Sequence, residues 1–254
     1  MQTPEQNARR IFGARASRYT TSAVHTDPQV LARIVKLAAA KPDWLALDVA
    51  TGTGHTAFAL AGWVRAVIGI DLTVEMLEES KRLGTARGIR NVILGLADVH
   101  DLPFPAATFH LVTCRRAAHH FSQIGQALSE MRRVLHSRGR LVIDDRSVPE
   151  DDFVDACMNR LDGYHDESHV RDYRPSEWQQ LLEDHGFKVE AVEGYVKHRP
   201  LTAFTADVSP ENVRRIHEII NGLTHAQQAA LNLQVVDGQP HLNHWYVMIA
   251  GTKG

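Results

Sequence analysis

Leu45-Ala46-Leu47-Asp48-Val49-Ala50-Thr51-Gly52-Thr53-Gly54-His55-Thr56-Ala57 is the stretch that decides how this chain of 254 residues folds. It begins as an apolar run, turns acidic at Asp48, passes through a glycine-containing loop and reopens with helix-forming residues. That pattern reads as a strand, a sharp turn and the start of a helix. Glycine permits the backbone angles of such a turn and lets a ligand approach the main chain closely. The helix that follows offers free N–H groups at its start. In open α/β sheets, ligands lie outside the carboxyl ends of the strands, where strand order reverses. A lone Gly-x-Gly also serves as a plain strand-to-helix turn, so its meaning rests on its surroundings.

Working outward, strands and helices alternate. Residues 44–50 read as a first strand, 55–63 as a short helix and 66–71 as a second strand. Thr73 is the expected cap of a helix that runs to residue 87, and Gly88 ends it. Strands follow at 91–97, 109–115 and 139–145, with a helix at 123–135. Such alternation implies parallel βαβ units with right-handed crossovers. Upstream, residues 3–40 read as helical. Thr3-Pro4-Glu5-Gln6 combines an N-cap, a first-turn proline and a capping-box glutamine. A second helix fits 28–40, with Val30, Leu31, Ile34, Val35 and Leu37 on its apolar face, and Lys41-Pro42-Asp43 breaks it. Downstream, helices are expected over 150–165 and 176–185. Residues 187–197 and 241–250 alternate apolar and polar and suit two final strands, paired antiparallel at the sheet edge. Helices start at Ser209-Pro210-Glu211 and Thr224-His225-Ala226-Gln227 between them. No repeat or linker interrupts the chain, so one domain over 1–254 is expected.

Two further carboxylates give the glycine loop its meaning. Asp71 ends the second strand, about twenty residues past the turn, where a carboxylate accepts both hydroxyls of a ribose. Asp98 ends the third strand within Leu96-Ala97-Asp98-Val99, placed to meet an adenine amino group. Alone, Asp71 would read as a helix cap and Asp98 as a solvated loop residue. Together with Asp48, three successive strand ends carry acidic groups on one edge, which describes a nucleoside site.

The matching pieces DVATGTGHTA, IGIDLTVEML, GLADVHDLPFPAATFHLVTC and MRRVLHSRGRLVI, spread over residues 44–145, resemble the class I S-adenosylmethionine-dependent methyltransferases, in the branch similar to ubiquinone/menaquinone-biosynthesis methyltransferases. Phe12-Gly13-Ala14-Arg15-Ala16-Ser17-Arg18-Tyr19 looks like that branch's lid helix. The resemblance implies a Rossmann-like, seven-stranded doubly wound sheet of order 3-2-1-4-5-7-6, with strand 7 antiparallel. It also implies S-adenosyl-L-methionine as cofactor. Asp48, Gly52 and Gly54 would lie near its methionine part, Asp71 with Leu72 at the ribose, and Asp98 with Val99 at the adenine. Arg115 would sit beside the sulfonium, and Tyr19 would close over the cofactor. Ala50 occupies the place where the family often has the first glycine of its loop. Residues 1–40 would then be a helical lid, 41–147 the cofactor-binding core, and 148–254 the acceptor-side elements and final strands.

Catalytic candidates follow the fourth strand in Arg115-Arg116-Ala117-Ala118-His119-His120-Phe121. A histidine there is suited to deprotonate an acceptor, since its pKa lies near neutral; the alternative is that it shapes the pocket. The family pattern favours His120 over His119. His165-Asp166-Glu167-Ser168-His169 lacks the H-E-x-x-H order of a zinc site, so no metal is expected, and with Arg171 and Tyr173 it reads as acceptor-pocket lining. Asp144 and Asp145 should point to opposite faces of a strand. Trp178, Leu181 and Leu182 read as core, and Trp245 and Tyr246 as parts of a final strand. The helix-rich stretch 201–239 is assigned to the acceptor pocket or to a homodimer contact.

Bulk composition narrows the partners. Net charge is -2 and the 28 basic residues are scattered, so no nucleic-acid footprint is expected. No run is apolar enough to span a bilayer, and the start MQTPEQNARR is polar. Cys114 and Cys157 form no disulfide framework, which suits a reducing cytoplasm. The expected partner is therefore a small-molecule methyl acceptor. An NAD-dependent oxidoreductase of similar architecture and a non-catalytic cofactor binder are the rival readings.

Overall fold

The apolar run that opens the chain's central motif forms the middle of a sheet. The computed structural model describes residues 3–254. In chain order the elements are α1 (Pro4–Tyr19), α2 (Pro28–Ala38), β1 (Leu45–Val49), α3 (His55–Ala61), β2 (Ala66–Asp71), α4 (Val74–Ala86), β3 (Val92–Leu96) and β4 (Phe109–Arg115). A 3-10 turn at Ala118–His120 precedes α5 (Ile124–Val134), β5 (Leu135–Ser147), α6 (Asp152–His165), α7 (Pro175–Asp184) and β6 (Phe187–Pro200). The chain ends with α8 (Leu201–Phe204), α9 (Pro210–Asn221), α10 (His225–Ala230), β7 (Gln234–Val236) and β8 (Gln239–Lys253).

The sheet runs β3-β2-β1-β4-β5-β8-β6, with the short β7 paired to β8. β1 to β5 are parallel neighbours, and β8 runs antiparallel between β5 and β6. This is the expected order 3-2-1-4-5-7-6 with one strand added, so the antiparallel strand counts as the eighth. The addition is a hairpin: Asp237 and Gly238 both have positive φ, 51° and 73°, between β7 and β8. An Asp-Gly turn of this kind suits a two-residue hairpin. Val236-Asp237-Gly238-Gln239 carried that signal inside a stretch read as helical.

Each face of the sheet buries its own apolar layer. Leu47, Val49, Val112 and Ile143 pack with α5 and α7 on one face, around Trp178, Leu128 and Met131. Ala46, Val67, Leu111 and Val142 pack on α2 and α3 on the other. Trp178 and Leu182 are thus core, as expected. A third cluster joins α6, α8 and α9 through Leu161, Phe204, Ile216 and Leu242, and Trp245 packs against it. No helix among the described residues is long and apolar enough to cross a membrane.

The turn after β1 is shaped by backbone geometry. Ala50 has φ 50°, Gly52 54° and Gly54 88°. The residue that replaces the family's frequent first glycine is therefore held left-handed, at a cost of roughly 1–2 kcal/mol for a side chain. Gly54 has a different duty. It precedes α3, and a Cβ there would collide with Ser80 of α4 and come within 2.6 Å of the Phe58 ring. Gly54→Ala is expected to lower stability by about 3 kcal/mol, the sum of left-handed strain and overpacking. Urea unfolding of the unliganded chain checks this, and an unchanged midpoint would contradict the assignment.

Candidate active site

Where β1, β2 and β4 end, the loops part into a cleft that α1 covers. Ala50, Gly52, Asp71, Leu72, Asp98 and Val99 line it from the sheet, with Arg115 and His120. Phe12 and Tyr19 close it from α1. Residues 1 and 2 of the expected lid lie outside the described residues.

Asp71 is anchored before any ligand arrives. One carboxylate oxygen accepts the Gly52 N–H at 2.8 Å and the other the Thr73 N–H at 2.9 Å. A carboxylate has about four lone-pair sites, so these two bonds do not exhaust its capacity. Burial pushes the Asp71 carboxyl up, against the lowering by those N–H donors. Thr73 makes no side-chain cap, contrary to the sequence expectation; Asp71 accepts the N–H of Thr73 itself. Asp98 stands at the other end of the cleft, receiving the His100 N–H at 2.9 Å and facing His100 Nδ1 at 2.7 Å.

Two expected cofactor residues do not line the cleft. Asp48 is 1% exposed and lies beneath the turn, accepting the hydroxyls of Thr51 and Thr113, each at 2.6 Å. Its pKa is raised by burial, with both hydroxyls opposing. It is a brace between β1, its loop and β4. Gly54 faces α4, as described above. The acidic constellation on the cleft wall is therefore Asp71 and Asp98, with Asp48 under the floor. Gly52 keeps its place on the wall: a Cβ there would meet nothing within 4 Å, so its side of the turn stays open.

Arg115 carries a separate signal. Its Nε donates to Thr56 at 2.8 Å and one terminal nitrogen donates to the His25 carbonyl at 2.9 Å. The other terminal nitrogen is buried and has no partner. A guanidinium beside a sulfonium would repel it, whereas an unpaired donor suits a carboxylate.

A second chamber adjoins the cleft, and Phe12, Tyr19, His25, Arg116 and His120 belong to both. His119 lies only on the second chamber. Its backbone N–H and its Nδ1 both meet Asp145, at 2.9 Å and 2.5 Å. Burial lowers its pKa, but the Asp145 charge and hydrogen bond outweigh that and carry it above the ordinary value. His120 differs. Burial and the charge of His119 push it down to about 3, and its Nδ1 faces the Ser168 carbonyl at 3.1 Å. Asp144 points the other way from Asp145, to the Tyr195 hydroxyl at 2.7 Å and to Arg116. The family pattern favours His120, whereas Asp145 of β5 engages His119.

His165, Asp166 and His169 line the second chamber, as do Ala203, Phe204 and Asp207 from the stretch after β6. Arg171 does not: it turns to Asp155 and Glu177. Tyr173 packs against Trp178 in the core, with ring centroids 5.3 Å apart. His165 ends α6 and His169 lies beyond it, so the two share no helix face. Tyr246, read from sequence only as strand, stacks on Tyr195 and faces the chamber.

Residues 47–143 match the model of a methyltransferase domain. The uncharacterized methyltransferase YcgJ of Bacillus subtilis (strain 168) is 37% identical over 171 residues, 67% of this chain and 68% of that protein. The crystal structure of YcgJ superposes with a TM-score of 0.83 at 30% identity, over 88% of this chain and 97% of that one. The chain belongs to the class I S-adenosylmethionine-dependent methyltransferases. The methyltransferase is also 38% identical over 112 residues to the demethylmenaquinone methyltransferase of Symbiobacterium thermophilum, 42% of this chain and 45% of that one. That similarity covers less than half of the relative's length. Family membership displaces the oxidoreductase reading.

Residues missed from sequence lie far from the glycine loop. Arg146, Arg199 and His244 of this methyltransferase reach the second chamber from β5, β6 and β8. Nothing in their spacing links them. For the paired histidines, the environment predicts that His119 titrates above the ordinary 6.5 and His120 stays neutral through the physiological range. Nuclear magnetic resonance titration of the ring signals checks this. Asp145→Asn should lower the His119 value; no movement would remove Asp145 as its cause.

Proposed function

We propose that this methyltransferase binds S-adenosylmethionine in the cleft and a small-molecule acceptor in the second chamber, and moves the methyl group to an O, N or C nucleophile. The supporting observation is that the two cavities meet across Phe12, Tyr19, His25, Arg116 and His120. A donor in one and a nucleophile in the other would be held in line at that boundary. Such placement supplies roughly 7–11 kcal/mol of barrier reduction. The cofactor supplies a methyl group on a positively charged sulfur, which makes its departure easy.

The chain's own residues then have distinct tasks. Asp71 would hold the ribose hydroxyls with its free lone pairs, and Asp98 with Val99 the adenine. Gly52 leaves the turn open for close approach. The unpaired Arg115 nitrogen would take the amino-acid carboxylate, a place different from the sulfonium first assigned to it. Tyr19 and Phe12 of α1 cover the boundary and exclude water. His119, backed by Asp145, is the better placed general base for acceptors that must lose a proton, and such a base adds about 10²–10⁴-fold. His120, held neutral, lines the transfer point. Being neutral only above its raised pKa, His119 gives a rate that climbs with pH beyond 6.5. The protein would act in the cytoplasm on a soluble acceptor.

Calorimetric titration with S-adenosylmethionine and NAD tests the reading. S-adenosylmethionine is expected to bind and NAD not to; preferential NAD binding would sink it. Asp71→Asn should weaken S-adenosylmethionine roughly 10- to 100-fold with the fold retained, the scale of a lost charge-assisted hydrogen bond.

A further inference from the structure

The second chamber holds more unengaged hydrogen-bond donors than its own acids satisfy. Arg199, near the end of β6, is half-buried on the chamber wall, and its side chain makes no hydrogen bond or ion pair among the described residues. Burial, the neighbouring Arg146 and Arg116 lower its pKa, against attraction by Tyr246 and Asp162. The other guanidinium groups of the chamber are matched. Arg146 pairs with Asp162 and lies 3.5 Å from Asp172. Arg18 pairs with Asp207, whose carbonyl accepts from Arg15 at 2.9 Å. Arg116 lies over the Tyr246 ring at 4.5 Å, and its Nε faces the Asp144 Oδ2, its ion-pair partner, at 3.7 Å.

His244 adds a second donor. Its Nδ1 faces an Arg146 nitrogen at 2.5 Å. A guanidinium can only donate, so Nδ1 accepts and the ring proton sits on Nε2. That nitrogen is buried with no partner. Burial and the charge of Arg146 hold the ring neutral. The acids facing the same space are each engaged through one oxygen: Asp162 by Arg146, Asp207 by Arg18, and Asp166 by the Ser168 hydroxyl at 2.6 Å. Buried polar groups are expected to find partners. Two donors on one chamber without an acceptor among the described residues point to the complementary ligand: negatively charged oxygen.

We propose that Arg199, with the His244 Nε2–H, seats an oxyanion of the methyl acceptor, a carboxylate or phosphate. The proposal rests on the reading that this chamber takes the acceptor. The remainder of such a molecule lies against Phe12, Phe204 and Tyr246, which give the chamber an aromatic lining. Planar guanidinium groups favour carboxylate and phosphate, which accept two parallel hydrogen bonds.

The test uses the full-length protein and three probes of similar size: phenylacetate, phenyl phosphate and the neutral phenylacetamide. Calorimetry and thermal unfolding are read with and without saturating S-adenosylhomocysteine. At least one oxyanion probe is expected to bind and raise the melting temperature, with phenylacetamide at least tenfold weaker. The stronger of the two acids identifies carboxylate or phosphate. Arg199→Gln should weaken that probe at least tenfold while S-adenosylhomocysteine binding persists, and Arg199→Lys should recover part of the loss by restoring the charge. The proposal is overturned if neither oxyanion binds, if phenylacetamide binds as well as the acids, or if Arg199→Gln binds them undiminished. Failure of S-adenosylhomocysteine to bind the native protein would instead strike the methyl-transfer reading, since the oxyanion titration is also read without it.

Discussion

Two buried carboxylates hold the turn after β1, and the rest of the site depends on that turn. Asp48 pulls on it from below through Thr51 and ties it to β4 through Thr113. Asp71 fixes it from the side through the Gly52 N–H. A turn with three left-handed residues loses much chain entropy on ordering, and these bonds offset that loss where a flexible loop would otherwise stand. The same Asp71 carboxylate also lines the cleft. On the proposed reading, structure and recognition share one side chain, and the rim is preorganised because its parts already bond to one another.

Electrostatics sorts the chemistry next to that rim. His119 and His120 are sequence neighbours with ring centroids 3.9 Å apart. Two imidazoles so close cannot both be charged at modest cost. Asp145 sits against His119 alone, so the proton affinity of the pair concentrates there. His120 is left as an uncharged wall at the boundary of the cavities. His25, lowered well below its ordinary value by burial and by Arg115, is neutral at the same boundary.

The parts legible in the sequence were those written in short range. The strand–turn–helix at 45–57, the acidic ends of β2 and β3, and the core residues Trp178 and Leu182 all followed from local pattern and period. Asp48 was legible as an acid at a strand end but not as a buried brace, because Thr113 is 65 residues away. Gly54 looked like a ligand-facing glycine until Ser80 and Phe58 of the neighbouring helices were in place. The β7–β8 hairpin was missed although Asp237-Gly238 announced it, since the helix starts before it dominated the reading. Arg199 and His244 had no local signal at all: each is one polar residue on an alternating strand, and only the antiparallel pairing of β6 with β8 brings them to one space.

That division has a physical consequence for specificity. The cleft is built from the ends of β1 to β4, a contiguous stretch whose geometry is set by a few turns. The second chamber is assembled from α1, α6, β5, β6, α8 and β8, elements spread across the chain. Its wall can change one strand residue at a time without disturbing the braced turn, because additions on the far side of Arg116 and His120 do not touch Asp48 or Asp71. On the proposed reading, cofactor grip and acceptor choice are in this way mechanically separable. The five residues common to both cavities, from Phe12 to His120, are where a substitution would be felt on each side at once.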